Sequence, residues 1–274
     1  MNTHPSLGKF ELKTRPAKTF LYFAIVVFIV FTAICALIYF GAIIPINQGK
    51  ASFSGDISVL YKAMAGIMGL AIAILILAVF FMKGATFYLY EQGIVADYKG
   101  NEKVTKYADI QDLYLFTSGK QMFGANNVAY RTNESDEWQA ISAKYGNVGK
   151  GIKLIRSKHQ TAYVPKVLQQ LAEGKSVAFH YVEYVKLVAT QFFAVNTNSY
   201  LNVKPKEMML YKDKLIVGSE TIYLADVQRF SINDWTNQIK LLNKENKTLF
   251  AISFYSVLSG DSFISVLDEL INKQ

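Results

Sequence analysis

The sequence predicts a membrane-anchored α+β protein, in which a two-helix hairpin precedes two similar small domains that each close with a helix. Three observations carry this prediction. Two long apolar runs, Thr19 to Ile44 and Val59 to Met82, contain no acidic residue, arginine or histidine. Three short motifs recur in the same order in the rest of the chain. Each recurrence sets short β-type segments before one amphipathic helical stripe.

The apolar runs come first because they fix the solvent. A helical run of roughly 24 residues is about 36 Å long, enough to cross a hydrocarbon core of about 30 Å with some tilt. A helix in a soluble core rarely stays apolar on every face for that length. The first run is too long for the apolar part of a cleaved signal, about 7–15 residues, and bulky Tyr39, Phe40, Ile43 and Ile44 stand where a small-residue cleavage site belongs. The predicted order is a cytoplasmic tail over 1–18, a span over 19–44, an external loop over 45–58 and a second span over 59–82. The basic flank Lys9, Lys13, Arg15 and Lys18 against a loop carrying only Lys50 and Asp56 places both termini in the cytoplasm. The one cysteine, Cys35, falls inside a span, which excludes an intramolecular disulfide.

Functional charges inside a bilayer are rare and informative. Lys62 is the sole residue of either run that is charged at neutral pH, at the outer start of the second, where its stem can snorkel to the interface. Ala65, Gly69 and Ala73 recur every four residues and would line one face, meeting Thr32 and Ala36 of the first span in a tight hairpin or, as the second reading, forming an oligomer contact.

Beyond Lys83 the chain repeats. Leu89-Tyr90 followed by Gly93-Ile94-Val95 matches Leu210-Tyr211 followed by Leu215-Ile216-Val217. Ala108-Asp109-Ile110-Gln111 matches Ala225-Asp226-Val227-Gln228, and Val167 to Leu171 matches Val266 to Leu270. Two domains follow, over 83–175 and 176–274, with extra residues in the first between Thr117 and Lys150. In the first copy, strands are expected at Thr86–Leu89, Gly93–Tyr98, Lys103–Tyr107, Asp112–Phe116, Val128–Arg131, Gln139–Ala143 and Lys153–Ile155, then a helix at Pro165–Ala172. In the second, six strands between Glu207 and Phe254 precede a helix at Asp261–Asn272, with Asn243 to Asn246 as a hairpin tip. The stretch from Val177 to Val195 reads as a strand opening the second domain or as an interfacial helix, with strand preferred.

These motifs make the chain resemble an uncharacterised group of bacterial integral-membrane proteins in which a two-span anchor precedes tandem pleckstrin-homology-like (PH-like) domains. The Leu-Tyr opening strand, the Ala-Asp-hydrophobic segment and the strands-then-helix order carry the likeness; a tryptophan usual before the aspartate is replaced by Lys106-Tyr107 and Tyr223-Leu224. The resemblance implies small bent antiparallel sheets or barrels capped by a helix, a bacterial inner-membrane location and a binding role. It implies no catalytic residues.

The residues themselves offer little chemistry. His4, His159 and His180 are scattered without a cysteine partner, so no metal centre or cofactor is expected, and His180 reads as a packed residue. Gly146 to Gly151 is Gly-rich but sits between expected strands, which makes it a hairpin and no phosphate loop. Asp109 and Asp226, equivalent in the repeat, read as turn residues rather than a catalytic pair.

From Lys83 onward 23 basic residues stand against 19 acidic, too dispersed a surplus for nucleic acid. Lys99, Lys103 and Lys106, with Lys150, Lys153, Arg156 and Lys158, form local clusters that could touch anionic lipid headgroups, each nearby cation contributing about 1 kcal/mol. The functional expectation is a non-enzymatic, membrane-tethered scaffold that binds an unidentified protein, a peptide or anionic lipid. The competing expectation is a subunit of an oligomeric transport assembly gated by its soluble domains.

Overall fold

A computed structural model of the chain describes residues 3–118, 125–183, 201–233 and 237–272. The chain divides into two compact units, Arg15–Ala85 and a second made of Met1–Thr14 with Thr86–Gln274.

The first unit is a helical hairpin. Helix α1 (Thr19–Ile38) runs through a π-helical turn (Tyr39–Ile43) into α2 (Ile44–Asn47), and α3 (Ser58–Phe81) returns beside α1. Pro45 explains the π turn. It has no N–H for the Gly41 carbonyl and its ring crowds that position, so the ladder widens and the Ile44 N–H bonds Tyr39 O instead. Both runs, Thr19–Asn47 and Ser58–Phe81, are long and apolar enough to cross a membrane.

The hairpin face differs from the expected one. Ala24 and Cys35 of α1 and Ala71 and Ala78 of α3 are buried, whereas Ala65, Gly69 and Ala73 are exposed, as are Thr32 and Ala36. Cys35 Sγ reaches Met64 O at 3.8 Å, and Thr32 Oγ1 donates back to Phe28 O at 2.8 Å. α3 carries more than one row of small residues. The seven-residue spacing of Ala71 and Ala78 keeps them on the seam of two nearly antiparallel helices, while a strict four-residue row winds away from it.

The second unit contains the repeat. In the first copy, β2 (Gly8–Thr14), β3 (Thr86–Tyr90), β4 (Gly93–Tyr98) and β5 (Asn101–Lys106) form an antiparallel meander, with short β1 (Thr3–His4) added at its edge. A 3-10 turn (Tyr107–Asp109) leads to a second meander, β6 (Asp112–Phe116), β7 (Asn127–Arg131) and β8 (Gln139–Ile141), and then to helix α4 (Val148–Ala172). The second copy repeats every step. β9 (Val177–Tyr181), β10 (Lys206–Leu210), β11 (Lys214–Val217) and β12 (Glu220–Tyr223) form four strands. A 3-10 turn (Leu224–Asp226) follows, then β13 (Arg229–Asn233), β14 (Gln238–Leu242) and β15 (Thr248–Ser253), and the closing helix α5 (Gly260–Asn272).

Two expectations are corrected here. The tail over 1–18 contributes the first strand of the first copy: β2 pairs with β3, Leu12 opposite Leu89 and Thr14 opposite Phe87. Leu7 is fully buried with Tyr90 and Val95. The apolar hairpin is therefore inserted between the first and second strands of that copy. Tail-like composition hid this, because β2 alternates polar and apolar over only seven residues and its partner lies beyond both apolar helices in sequence.

The second correction concerns Lys153–Ile155, which is helical. α4 starts at Val148, directly after Asn147, whose positive φ of 59° suits a left-handed bend. Gly149 and Gly151 lower helix propensity by about 1 kcal/mol each, which makes the first turns look like a loop in sequence. Burial of Gly151, Ile152 and Ile155 outweighs that cost. The Gly146–Gly151 segment thus runs into a helix, with Gly149 and Gly151 inside it rather than in a cradle loop. Of Val177–Val195, β9 is a strand as preferred, and the part from 184 lies outside the described residues.

The closing helices join the copies. Tyr163, Val167 and Leu171 of α4 share one core with Phe179, Met208 and Leu210 of the second copy and Phe263, Val266 and Leu267 of α5. Polar contacts reinforce the join. Arg156 donates twice to Asp261, both at 2.7 Å, and Ser259 Oγ accepts from Leu113 N at 3.0 Å and donates to Gln111 O at 2.9 Å.

Candidate functional site

The most polar buried place in the described residues lies where the two copies meet. β6 supplies Asp112 and β7 supplies Arg131, which are register partners, so the pleat presents both side chains on the same face. β9 supplies His180 from the second copy. Arg131 Nε donates to Asp112 Oδ2 at 2.6 Å, and His180 Nδ1 donates to Asp112 Oδ1 at 2.6 Å. All three residues are at most 6 % exposed, so the carboxylate is shared by two cationic or polar partners away from bulk water. Hydrogen bonding to Asp112 raises the His180 pKa above its ordinary value, against the opposing effect of burial.

Arg131 is held further at Nη1 and by its ring neighbour, while its buried Nη2 has no hydrogen-bond partner among the described residues. Nη1 donates to the Glu134 carbonyl at 2.7 Å, and the guanidinium lies 4.5 Å from the Trp138 ring centroid. On the open side of the network, His180 Nε2 faces Glu207 Oε1 at 3.8 Å. Glu207 lies directly opposite His180 in the β9–β10 pair, and Glu134 belongs to the β7–β8 connection. One ligand-capable atom each from Glu134, His180 and Glu207 lies within 4.8 Å of the others.

A cleft of about 270 Å³ opens between the copies and is lined by Asp109, Gln111, Thr132, Tyr163, Lys166 and Ala178 among others. Lys166 Nζ donates to Ala108 O at 3.0 Å, leaving its charge at the rim. Burial and the nearby Asp112 charge push the Tyr163 hydroxyl up to about 12, so it stays a neutral donor. Asp109 and Asp226 each end their copy's 3-10 turn, but only Asp109 reaches the cleft.

A second histidine is structural. His159 of α4 is fully buried, stacked on Tyr163 at 5.0 Å between centroids. Its Nε2 lies 3.0 Å from Ile110 O and its Nδ1 3.2 Å from Ser262 Oγ, so it ties α4 to both copies. Nε2 is then the protonated nitrogen and Nδ1 accepts from the serine. Desolvation lowers its pKa to about 4.

The basic residues divide. Arg156 is committed to Asp261, and Lys158 bonds Glu11 Oε1 at 2.5 Å, so both are engaged in ion pairs within the unit. Lys99, Lys103 and Lys106 are exposed on the β4–β5 hairpin, and Lys150 and Lys153 are exposed on α4. Sequence reading missed the Asp112–Arg131–His180 network because its members come from three strands of two repeats. The available signal was Asp112, an acid inside an otherwise apolar strand.

The family model DUF6585, a family of unknown function, matches residues 1–202. That range holds both apolar helices, the whole first copy and β9. No curated protein matches the chain.

Proposed function

The chain belongs to the DUF6585 family, and we propose that it is a membrane-tethered, non-enzymatic scaffold whose tandem PH-like domains bind a protein or peptide at the cytoplasmic face. One observation carries this reading: each copy is a four-stranded meander, a three-stranded meander and a closing helix, the element order of a PH-like domain. Such domains bind ligands on their sheets and loops. The cleft between the copies, lined by side chains of both, is the place where such a ligand would meet the pair.

The tether follows from chain connectivity. β2 and β3 are hydrogen-bonded neighbours that flank the apolar hairpin, so both ends of the hairpin emerge on one side of any membrane it crosses. Lys9, Lys13, Arg15 and Lys18, against a loop with few basic residues, support the cytoplasm as that side. Anionic headgroups contacting Lys99, Lys103, Lys106, Lys150 and Lys153 would orient the domains, with each contact weak and salt-dependent.

The test is photo-crosslinking in native membranes, with a photoreactive residue replacing Gln170 at the cleft or Lys244 at the β14–β15 hairpin tip. Capture of one protein or peptide from the Gln170 position alone is the expected result. Equal labelling from both positions, or labelling of the chain by itself only, refutes the cleft as the binding site. Gln48→Cys and Lys244→Cys report orientation: an impermeant thiol reagent on intact cells should label the first and spare the second.

A further inference from the structure

We propose that His180, Glu134 and Glu207 form a site for one divalent metal ion of the zinc type, which clips the second copy to the first. The histidine is prepared as a ligand. Its Nδ1–H is held by Asp112 at 2.6 Å, which fixes the ring orientation so that in the neutral ring the Nε2 lone pair faces Glu207. A carboxylate behind a histidine in this way raises its basicity and is the usual support of a metal-bound imidazole. Arg131 and the strand pairing hold Asp112 in turn, so the support is rigid.

Nε2 has no hydrogen bond among the described residues, although His180 is only 2 % exposed. A buried imidazole locked by Asp112, with its Nε2 edge facing Glu207 Oε1 at 3.8 Å, is the second observation that separates this place from a chance acidic cluster. The geometry closes with side-chain motion alone. Ligand atoms about 2.0–2.1 Å from a tetrahedral zinc ion lie roughly 3.3 Å from each other. The three atoms already lie within 4.8 Å of one another, and Glu134 and Glu207 are exposed and free to change rotamer.

Charge points the same way. Asp112 and Arg131 offset each other, while Glu134 and Glu207 contribute two negative charges that a divalent ion cancels. Lys206, the adjacent cation on β10, is engaged with Glu183. Three protein ligands of mixed nitrogen and oxygen type leave a fourth position for water or a donor group from a partner. Glu207 and His180 are cross-strand neighbours of the second copy, whereas Glu134 belongs to the first, so an ion here bridges the repeat.

The experiment uses the full chain in detergent, purified without a histidine tag, stripped with chelator and titrated with Zn²⁺ by calorimetry and with Co²⁺ by visible absorption. The expected result is one equivalent bound, with the intense d–d bands of four-coordinate cobalt, and a higher melting temperature with metal. Glu134→Gln/Glu207→Gln, which alters only exposed side chains, should weaken binding by about 100-fold, and His180→Ala should abolish the cobalt bands. Absence of stoichiometric binding by the wild-type chain overturns the site and leaves an imidazolium–carboxylate cluster in its place. Unchanged affinity in the double glutamine variant overturns it equally. Should His180→Ala fail to fold by circular dichroism, the double variant decides alone.

Discussion

Leu12 and Leu89 face each other across paired antiparallel strands, although the whole apolar hairpin lies between them in sequence. The hairpin is thus an insertion into a strand connection. The β-rich unit is complete only when the chain has left that connection and returned.

A fragment starting at Lys83 therefore lacks a strand. It should expose the β3 edge and the apolar surface that β2 covers, and run as aggregate in size-exclusion chromatography. Joining Thr14 to Phe87 through an Asn-Gly turn should restore the pair, because Thr14 and Phe87 are register partners and a two-residue type I′ turn closes such strands. A monodisperse, cooperatively melting product is the expected outcome. A well-behaved 83–274 fragment would show that β2 is dispensable.

Removing Asp112 should be among the most damaging polar changes in the chain. Asp112→Ala strands the Arg131 guanidinium in a buried place and frees His180 Nδ1, with an expected loss of about 3–5 kcal/mol. Chemical denaturation of the joined soluble unit measures this. Arg131→Met/Asp112→Leu, which removes the pair together, should cost markedly less; an equal cost would mean that packing rather than charge governs the position.

His159 should make the fold acid-sensitive. Its folded-state pKa, about 4, lies below the ordinary 6.5, so between those values the unfolded chain takes up a proton that the folded chain refuses. Stability then falls as pH drops from about 6.5 to 4, by roughly 1.4 kcal/mol per pH unit and about 3 kcal/mol in all. His159→Gln keeps a donor near Ile110 O without the titration and should flatten this slope. The same slope in both proteins would assign the acid sensitivity elsewhere.

Two glycines should respond in opposite directions. A methyl group at Gly93 would sit 2.4 Å from Thr105 O and 2.8 Å from Leu7 Cδ2, so Gly93→Ala must displace backbone and should destabilise by about 2 kcal/mol or more. At Gly151 the same group would rest 3.8 Å from Leu89 Cδ1 and 3.9 Å from Leu12 Cδ2, ordinary contact distances. Gly151→Ala should stabilise by about 1 kcal/mol through helix propensity and added contact. Thermal melts of both variants give the comparison.

Much of this architecture was written locally. Twenty-odd apolar residues in a row dictate a helix whatever surrounds them, so both long helices were legible. The repeat was legible because equivalent turns select equivalent residues, as in the 3-10 turns that end at Asp109 and Asp226. The closing helix of the second copy was clear from its apolar stripe, Phe263, Val266 and Leu267. α4 was half hidden because Gly149 and Gly151 contradict the propensity that burial later overrides.

What only the tertiary structure decided depends on distant partners. β2 is a strand because β3 supplies its hydrogen bonds from the far side of the hairpin. The helix seam runs through Ala71 and Ala78 rather than Ala65, Gly69 and Ala73, since several small-residue rows exist and the partner helix selects one. His180 read alone is a packed histidine. Asp112 from the first copy and Glu207 across the β9–β10 pair give it a held proton and a facing charge. Sequence determines what each segment can form by itself, through periodicity and turn chemistry. Long-range pairing decides which polar groups share a buried space, because that choice is made only when both repeats have closed on each other.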